Sequence, residues 1–260
     1  MAMLEFDEQA ARQIQRVYST PDVIAQREQV LALLSARSGE RILDVGSGPG
    51  FLVASLAAAV GPGGAVHGLD PSAPMNALAA ELTADRPWVH IDTGDALALP
   101  YPDATFDAAV STQVYEYVPD IPAALAELRR VLRPGGRALV LDTDWDSVVW
   151  HVADRDRHQR VMAAWEEHLV HPHLPAELPG HLRRAGFTVT RREIVPLFNP
   201  TLEPNTYSAM TMETIARFVT GRRGLSAEDV DGWRDDLRSR GKEDAYLFSV
   251  NRYCFLAEAV

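Results

Sequence analysis

The pattern of apolar and polar positions divides the chain into a helical start, a run of strand–helix units and a less regular end. Thr20-Pro21 offers an N-cap hydroxyl followed by proline at the first helical position, and Val23 to Ala36 continues as a helix. Residues 1–38 therefore read as a helical N-terminal extension. Arg41 to Val45 is a short apolar strand, followed by a glycine loop and the helix Phe51 to Val60. Ala65 to Asp70 is a second strand, with a helix from Ala73 to Asp85, and Val89 to Thr93 is a third. Phe106 to Ser111 is a fourth, and Asp120 caps a helix running to Leu132. Arg133-Pro134-Gly135-Gly136 stops that helix, and Arg137 to Asp142 is a fifth strand. Strands and helices alternating at this spacing imply right-handed crossovers and a doubly wound, mainly parallel α/β sheet.

Beyond this the periodicity weakens. It predicts a helix over Ala153 to Val170, with Val161, Met162, Trp165 and Leu169 on one face, and another ending at Leu182 to Gly186. Two strands, Phe187 to Leu197 and Tyr246 to Ala257, are separated by an insertion over residues 199–245. That insertion holds predicted helices near Met210 to Thr220 and Ala227 to Arg240. The division expected is one domain over residues 1–260: an extension (1–38), a cofactor-binding core (39–145) and an acceptor-side half (146–260). The insertion is expected to be a lid, the competing reading being an element that forms a homodimer.

Composition changes the picture in three ways. A hydrophobic share of 47% with 23% charged residues describes a globular chain with a full core. The net charge of −11 opposes phosphate backbones, so a nucleic-acid partner is not expected. The single cysteine, Cys254, excludes an internal disulfide and fits a reducing cytoplasm. The acidic first residues do not look like a signal peptide, and no apolar run reaches a membrane span.

The chemistry concentrates where strands end. Asp44-Val45 ends a buried strand and Gly46-Ser47-Gly48-Pro49-Gly50 follows it, where glycines let the backbone turn sharply and approach a ligand beside a helix N-terminus. The third glycine comes one residue too early for a dinucleotide loop, which disfavours a nicotinamide-dependent reductase. Asp70 ends the second strand, where an acid can accept bonds from both ribose hydroxyls, and Asp95 follows the third, where it can accept from an adenine amino group.

With Leu43 to Gly50, Gly68-Leu69-Asp70-Pro71-Ser72-Ala73-Pro74-Met75, Gly94-Asp95-Ala96, Leu99 to Asp107 and Leu132 to Gly136, the chain resembles the class I S-adenosylmethionine-dependent methyltransferases, especially the ubiquinone/menaquinone C-methyltransferase-like group. The resemblance implies a Rossmann-like seven-stranded sheet with an antiparallel last strand. It implies S-adenosylmethionine as cofactor, leaving as S-adenosylhomocysteine, and a small, apolar or aromatic metabolite as acceptor. Gly46, Gly48 and Gly50 would line the methionine part, Asp70 hold the ribose, Met75 pack on the adenine, and Asp95 with Ala96 read its edge; Asp44, Pro71 and Ser111 complete the expected set. Rival readings are a protein that uses the cofactor for a non-methylating reaction and a non-catalytic binding module.

On the acceptor side, Asp142-Thr143-Asp144-Trp145-Asp146 leaves the fifth strand with Trp150 and His151 just beyond, and Asp144 and His151 are the candidate catalytic groups. Tyr18, Glu116, Trp145 and Tyr207 are candidate pocket residues. Where many relatives carry a histidine, this chain reads Glu116-Tyr117, which removes a familiar base. His168, His171 and His173 match no zinc spacing and read as surface or packing residues. The fourth strand ends in Ser111-Thr112-Gln113 rather than acids, so no catalytic metal is expected.

Overall fold

The computed structural model describes residues 8–260. Helices α1 (Glu8–Val17) and α2 (Pro21–Leu34) form the extension, with Pro21 opening α2 as its fixed φ favours. Then follow β1 (Arg41–Val45), α3 (Phe51–Val60), β2 (Ala65–Asp70), α4 (Ala73–Leu82), β3 (Val89–Thr93), β4 (Phe106–Thr112), α5 (Ile121–Val131) and β5 (Leu132–Thr143). Ser72 and Asp120 cap α4 and α5 by accepting from Met75 N–H and Ala123 N–H. The fifth strand begins five residues earlier than the glycine stop implies. Leu132 pairs with Phe106 before the register shifts, so the Arg133–Gly136 turn is carried inside the strand.

The acceptor-side half contains a two-residue strand β6 (Val149–Trp150), α6 (Arg155–Trp165), α7 (Leu174–Arg184), β7 (Phe187–Asn199), α8 (Tyr207–Val219), α9 (Ala227–Lys242) and β8 (Phe248–Ala259). The helix expected over Ala153 to Val170 is shorter. Asp154 caps it, and the chain tightens into a 3-10 turn over Glu166–His168 before Pro172.

The sheet runs β3-β2-β1-β4-β5-β8, with β7 on the far edge of β8. All neighbours from β3 to β5 are parallel, whereas β8 is antiparallel to both β5 and β7. This is the doubly wound, Rossmann-like arrangement that the sequence implies. The extra strand β6 resumes β5's edge of β8 after a break, pairing Val149 with Ser249 and Trp150 with Phe248. Strand order reverses between β1 and β4, which opens a crevice at their carboxyl ends.

Two apolar cores flank the sheet, one under α5 and α7 and one under α2 and α3. A third lies beyond the sheet's end, where α6, α8 and α9 pack around Trp150, Trp165, Ile215, Trp233 and Leu237. The insertion is thus helical, with a core of its own. Asp22 ties it to the extension by accepting from Asn199 Nδ2 (2.8 Å) and Tyr207 N–H (2.9 Å).

Candidate active site

The carboxyl end of β1 delivers the chain into a turn that only glycine makes easily. Gly46 (φ 71°) and Ser47 both donate backbone N–H to the Leu69 carbonyl, which pins the loop to β2. A Cβ on Gly46 would lie 2.2 Å from the Val114 side chain, so the loop and the segment after β4 close together only because that atom is missing. Gly50 has another task. Its φ of 82° starts α3, and a Cβ there would meet Ala79 of α4 at 2.7 Å. It packs two helices and does not line the cavity, which corrects its expected place.

The loop borders a cavity of about 610 Å³. Asp44, Gly46, Gly48, Asp70, Pro71, Met75, Asp95 and Ala96 all line it, as do Thr112, Gln113 and Val114 after β4. Ser111 does not. It sits one residue below the strand end, between Val45 and Val140, and is buried beneath the site. Asp70 accepts from Gly48 N–H and Ser72 N–H, both at 2.9 Å, through different carboxylate oxygens. One acceptor position on each oxygen is left for a ligand hydroxyl. Asp95 accepts from Leu97 N–H (2.8 Å) at the exposed rim.

Asp44 has the more telling environment. It is buried, and neither carboxylate oxygen has a hydrogen-bond partner among the described residues. Burial, and secondarily Asp70, pushes its carboxyl well above the ordinary range. A ligand that brings donors, a cationic amine above all, would satisfy both oxygens and restore the charge. This donor-seeking acid beside a backbone loop and a ribose-type carboxylate fits the amino-acid and nucleoside parts of S-adenosylmethionine.

The roof and the far wall come from segments distant in sequence. Ile14, Tyr18, Val23, Gln26 and Arg27 cover the cavity from α1, α2 and the turn between them, while Tyr117, His168, Leu169 and Arg252 close the other side. No residue of the insertion lines it, so the covering role expected of residues 199–245 falls to the N-terminal helices and to residues 168–170. The 168–171 segment is tethered by Val170 and His171 N–H groups donating to the Glu116 carbonyl (3.0 and 2.9 Å).

Several candidates lie away from the cavity. After Thr143 the chain leaves the extended form and enters a 3-10 turn over Trp145–Ser147 with Asp144 as its cap. Asp144 faces His173 Nδ1 at 3.1 Å, and Asp146 lies 3.6 Å from the same nitrogen. These three could share a metal ion, their ligand atoms lying within 4.8 Å of one another, but they are outside the cavity. His151 is exposed and its Nδ1 donates to the Ala245 carbonyl, so neither expected catalytic group reaches the cavity. Trp145 stands one layer back, edge-on to Trp165 and His168 (5.7 and 5.6 Å between ring centres). Tyr207 lies beneath the Arg252 guanidinium, its ring centre 5.0 Å from the guanidinium carbon, and Glu116 is buried outside the cavity lining. Of the expected pocket residues, Tyr18 alone lines the cavity.

His168, read from the sequence as a surface or packing residue, lines the cavity, as do Gln113 and Arg252, which the sequence did not single out for the site. His168 is 3% exposed, stacked on Trp165 at 3.7 Å, and its Nδ1 faces the Trp165 carbonyl. A carbonyl only accepts, so the proton sits on Nδ1 and Nε2 keeps a lone pair. Burial lowers the pKa of this ring to about 4, which keeps it neutral at physiological pH. Burial, opposed by Arg252, raises Tyr18 to about 12, and burial with Glu116 raises Tyr117 well above the usual phenol range. The wall is therefore aromatic and uncharged, apart from Arg252. Behind it, burial pushes Glu116 up to about 7 against the pull of Arg252, while burial and the neighbouring Glu116 raise Asp142 well above a normal aspartate.

This architecture matches known proteins in one direction. A family model described as a methyltransferase domain matches residues 43–140. Those residues carry the glycine loop and strand-end acids of the site and are similar to a methyltransferase domain. The chain is 43% identical over 111 residues to a 2-phytyl-1,4-naphtoquinone methyltransferase of Synechococcus elongatus, a match covering 42% of this chain and 48% of that one. It is 34% identical over 128 residues to a demethylmenaquinone methyltransferase of Anoxybacillus flavithermus, covering 48% and 54%. The chain thus spans about half the length of these curated relatives. The fold extends further than the sequence match. A Haemonchus contortus phosphoethanolamine N-methyltransferase, solved in complex with S-adenosylmethionine, superposes with a TM-score of 0.63 at 18% identity over 97% of this chain and 57% of that one.

Proposed function

We propose that the chain transfers a methyl group from S-adenosylmethionine to a small, planar, apolar or aromatic acceptor of the quinone type. The observation that carries this is the single continuous cavity, which joins the Asp44–Asp70–Asp95 side of the methyltransferase domain to an aromatic wall of Tyr18, Tyr117 and His168. In this reading Asp44 receives the cofactor's amine and Asp70 its ribose hydroxyls. Met75 and Pro71 flank the adenine, with Asp95 and Ala96 at its edge. Arg27, over the Phe51 ring at 4.9 Å, is placed for the cofactor's carboxylate. When bound, the cofactor supplies an electrophilic methyl carbon on sulfur.

The chain's own residues align and dehydrate the acceptor. The roof of α1 and α2 excludes water, the tyrosine and histidine rings fix the plane, and His168 Nε2 accepts from an acceptor hydroxyl. The relatives named above, a naphthoquinone and a menaquinone methyltransferase, support the choice of acceptor class. An acidic chain with one buried cysteine fits a cytoplasmic enzyme of small-molecule metabolism and disfavours a nucleic-acid acceptor. Among the described residues no helix is long and apolar enough to cross a membrane.

The test is transfer of isotopically labelled methyl to a panel of naphthoquinols and to a metabolite extract, read by mass spectrometry. A labelled quinol or aromatic product supports the proposal. Tight S-adenosylhomocysteine binding with no labelled product from either source would overturn it.

A further inference from the structure

The cavity wall contains a cation that the cofactor side does not use. Arg252 lies on β8, directly opposite Thr143 of β5 and Val195 of β7, and is 2% exposed. One guanidinium nitrogen donates to Gln26 Oε1, and the Tyr207 ring lies beneath the group. Its Nε has no hydrogen-bond partner, and among the described residues no carboxylate pairs with it within 4.0 Å. The buried acid that senses it, Glu116, is held toward its neutral form by burial.

A second unsatisfied donor stands in the same row. Thr143 Oγ1 donates to Gln113 Oε1 at 2.8 Å, which leaves Gln113 Nε2 buried with no partner. Gln113 is held at φ 60°, a left-handed conformation unfavourable for a non-glycine residue, with its N–H donating to the Leu141 carbonyl at 2.7 Å. Arg252 and Gln113 both line the cavity. A buried guanidinium with an unpartnered Nε and a buried amide with an unpartnered Nε2 are unfavourable unless a ligand supplies oxygen. Both lie at β4 and β8, across β5 from each other, whereas Asp70 and Asp95 follow β2 and β3 on the opposite side of β1.

Resting on the methyltransferase reading, we infer that Arg252 and Gln113 form an oxyanion subsite for the acceptor, which carries an ionised oxygen (an enolate or phenolate) on its planar body. Guanidinium and amide donors converging on one oxygen favour the charged form over a neutral isostere. The site then selects hydroxyquinone-like acceptors over simple quinones and hydrocarbons.

The test uses the full chain and two probes of nearly equal shape: 2-hydroxy-1,4-naphthoquinone, ionised at neutral pH, and neutral 1,4-naphthoquinone. S-adenosylhomocysteine affinity is measured first by calorimetry, then each probe is titrated with and without it. The wild-type protein should bind the ionised probe about tenfold or more tighter, as a charge-assisted bond implies. Arg252→Met should bring the two probes within about threefold, Arg252→Lys should retain part of the preference, and S-adenosylhomocysteine binding should stay unchanged in both. Gln113→Leu, which leaves the guanidinium in place, should lower the preference severalfold and serves if Arg252→Met does not fold. A wild-type protein with no preference, or binding neither probe, overturns the subsite, as does a preference that survives in Arg252→Met. Weakened S-adenosylhomocysteine binding in a folded Arg252→Met would reassign the arginine to the cofactor and likewise overturn it. A wild-type protein that prefers the ionised probe yet binds no S-adenosylhomocysteine would sink the methyltransferase reading alone.

Discussion

Single residues at this site are defined by what they lack. Asp44 lacks donors, and Asp70 has used only one acceptor position on each oxygen. Replacing Asp70 by alanine should therefore weaken S-adenosylhomocysteine binding by about a hundredfold or more, since two charge-assisted bonds of about 1.5–3 kcal/mol each are lost. Calorimetry on the folded variant checks this, and an unchanged affinity would remove Asp70 from the ribose. Glu116 makes a prediction about pH. Its pKa rises from an ordinary glutamate value to about 7 on folding, so the folded state binds the proton more tightly. Its stabilising contribution is complete at low pH and is lost as pH climbs through 7. The melting temperature should fall between pH 5 and pH 8, and Glu116→Gln should flatten that fall; an equal slope in both proteins would contradict the assignment. The residues legible in sequence were those whose role is local. A glycine loop and strand-end acids are written in consecutive letters, whereas Arg252 meets Gln26 and Thr143 only through the register of β8 and the docking of α2. Asp144 lies outside the cavity for a related reason: the backbone turns after Thr143, and no local signal in the sequence marks that turn.

At the scale of elements, the alternating half was readable because β1, β2 and β4 are short, largely apolar and each followed by a helix, so period and punctuation agree. The second half was not, because α6, α8 and α9 pack around a core of their own beyond the sheet, and only α7 lies in the core under it. The insertion illustrates this. Its length alone pointed to a lid, yet α8 and α9 fill a core with α6, joined by Trp150 Nε1 donating to Tyr246 (2.8 Å) and that hydroxyl donating to Ser208 (2.9 Å). Trp233 is fully buried at the centre of this core and donates to His158 at 3.1 Å. Trp233→Ala should cost about 3–5 kcal/mol of stability, measured by denaturant unfolding. It should leave cofactor affinity within a factor of about two, because no part of α9 lines the cavity. A loss of affinity in the folded variant would show that the insertion reaches the site after all.

For the molecule as a whole, one chamber serves both proposed ligands, and its cover is the part of the chain that comes first. Helix α1 spans the division between the halves, touching α4 on the cofactor side and α8 in the insertion. It has ten residues, a length at which an isolated helix is marginal in water, so its order depends on the surfaces on either side and on whatever lies below. Binding and the ordering of α1 then become one thermodynamic event, with a calorimetric signature. Apolar surface buried as the helix settles adds to that of the ligand, so S-adenosylhomocysteine binding should show a heat-capacity decrease larger than the ligand's own area accounts for. A chain beginning at Ser19 should bind with a smaller decrease and weaker affinity, and equal heat capacities in the two proteins would mean that α1 is already fixed. Coupling of this kind would make affinity fall more steeply on warming than a rigid pocket allows.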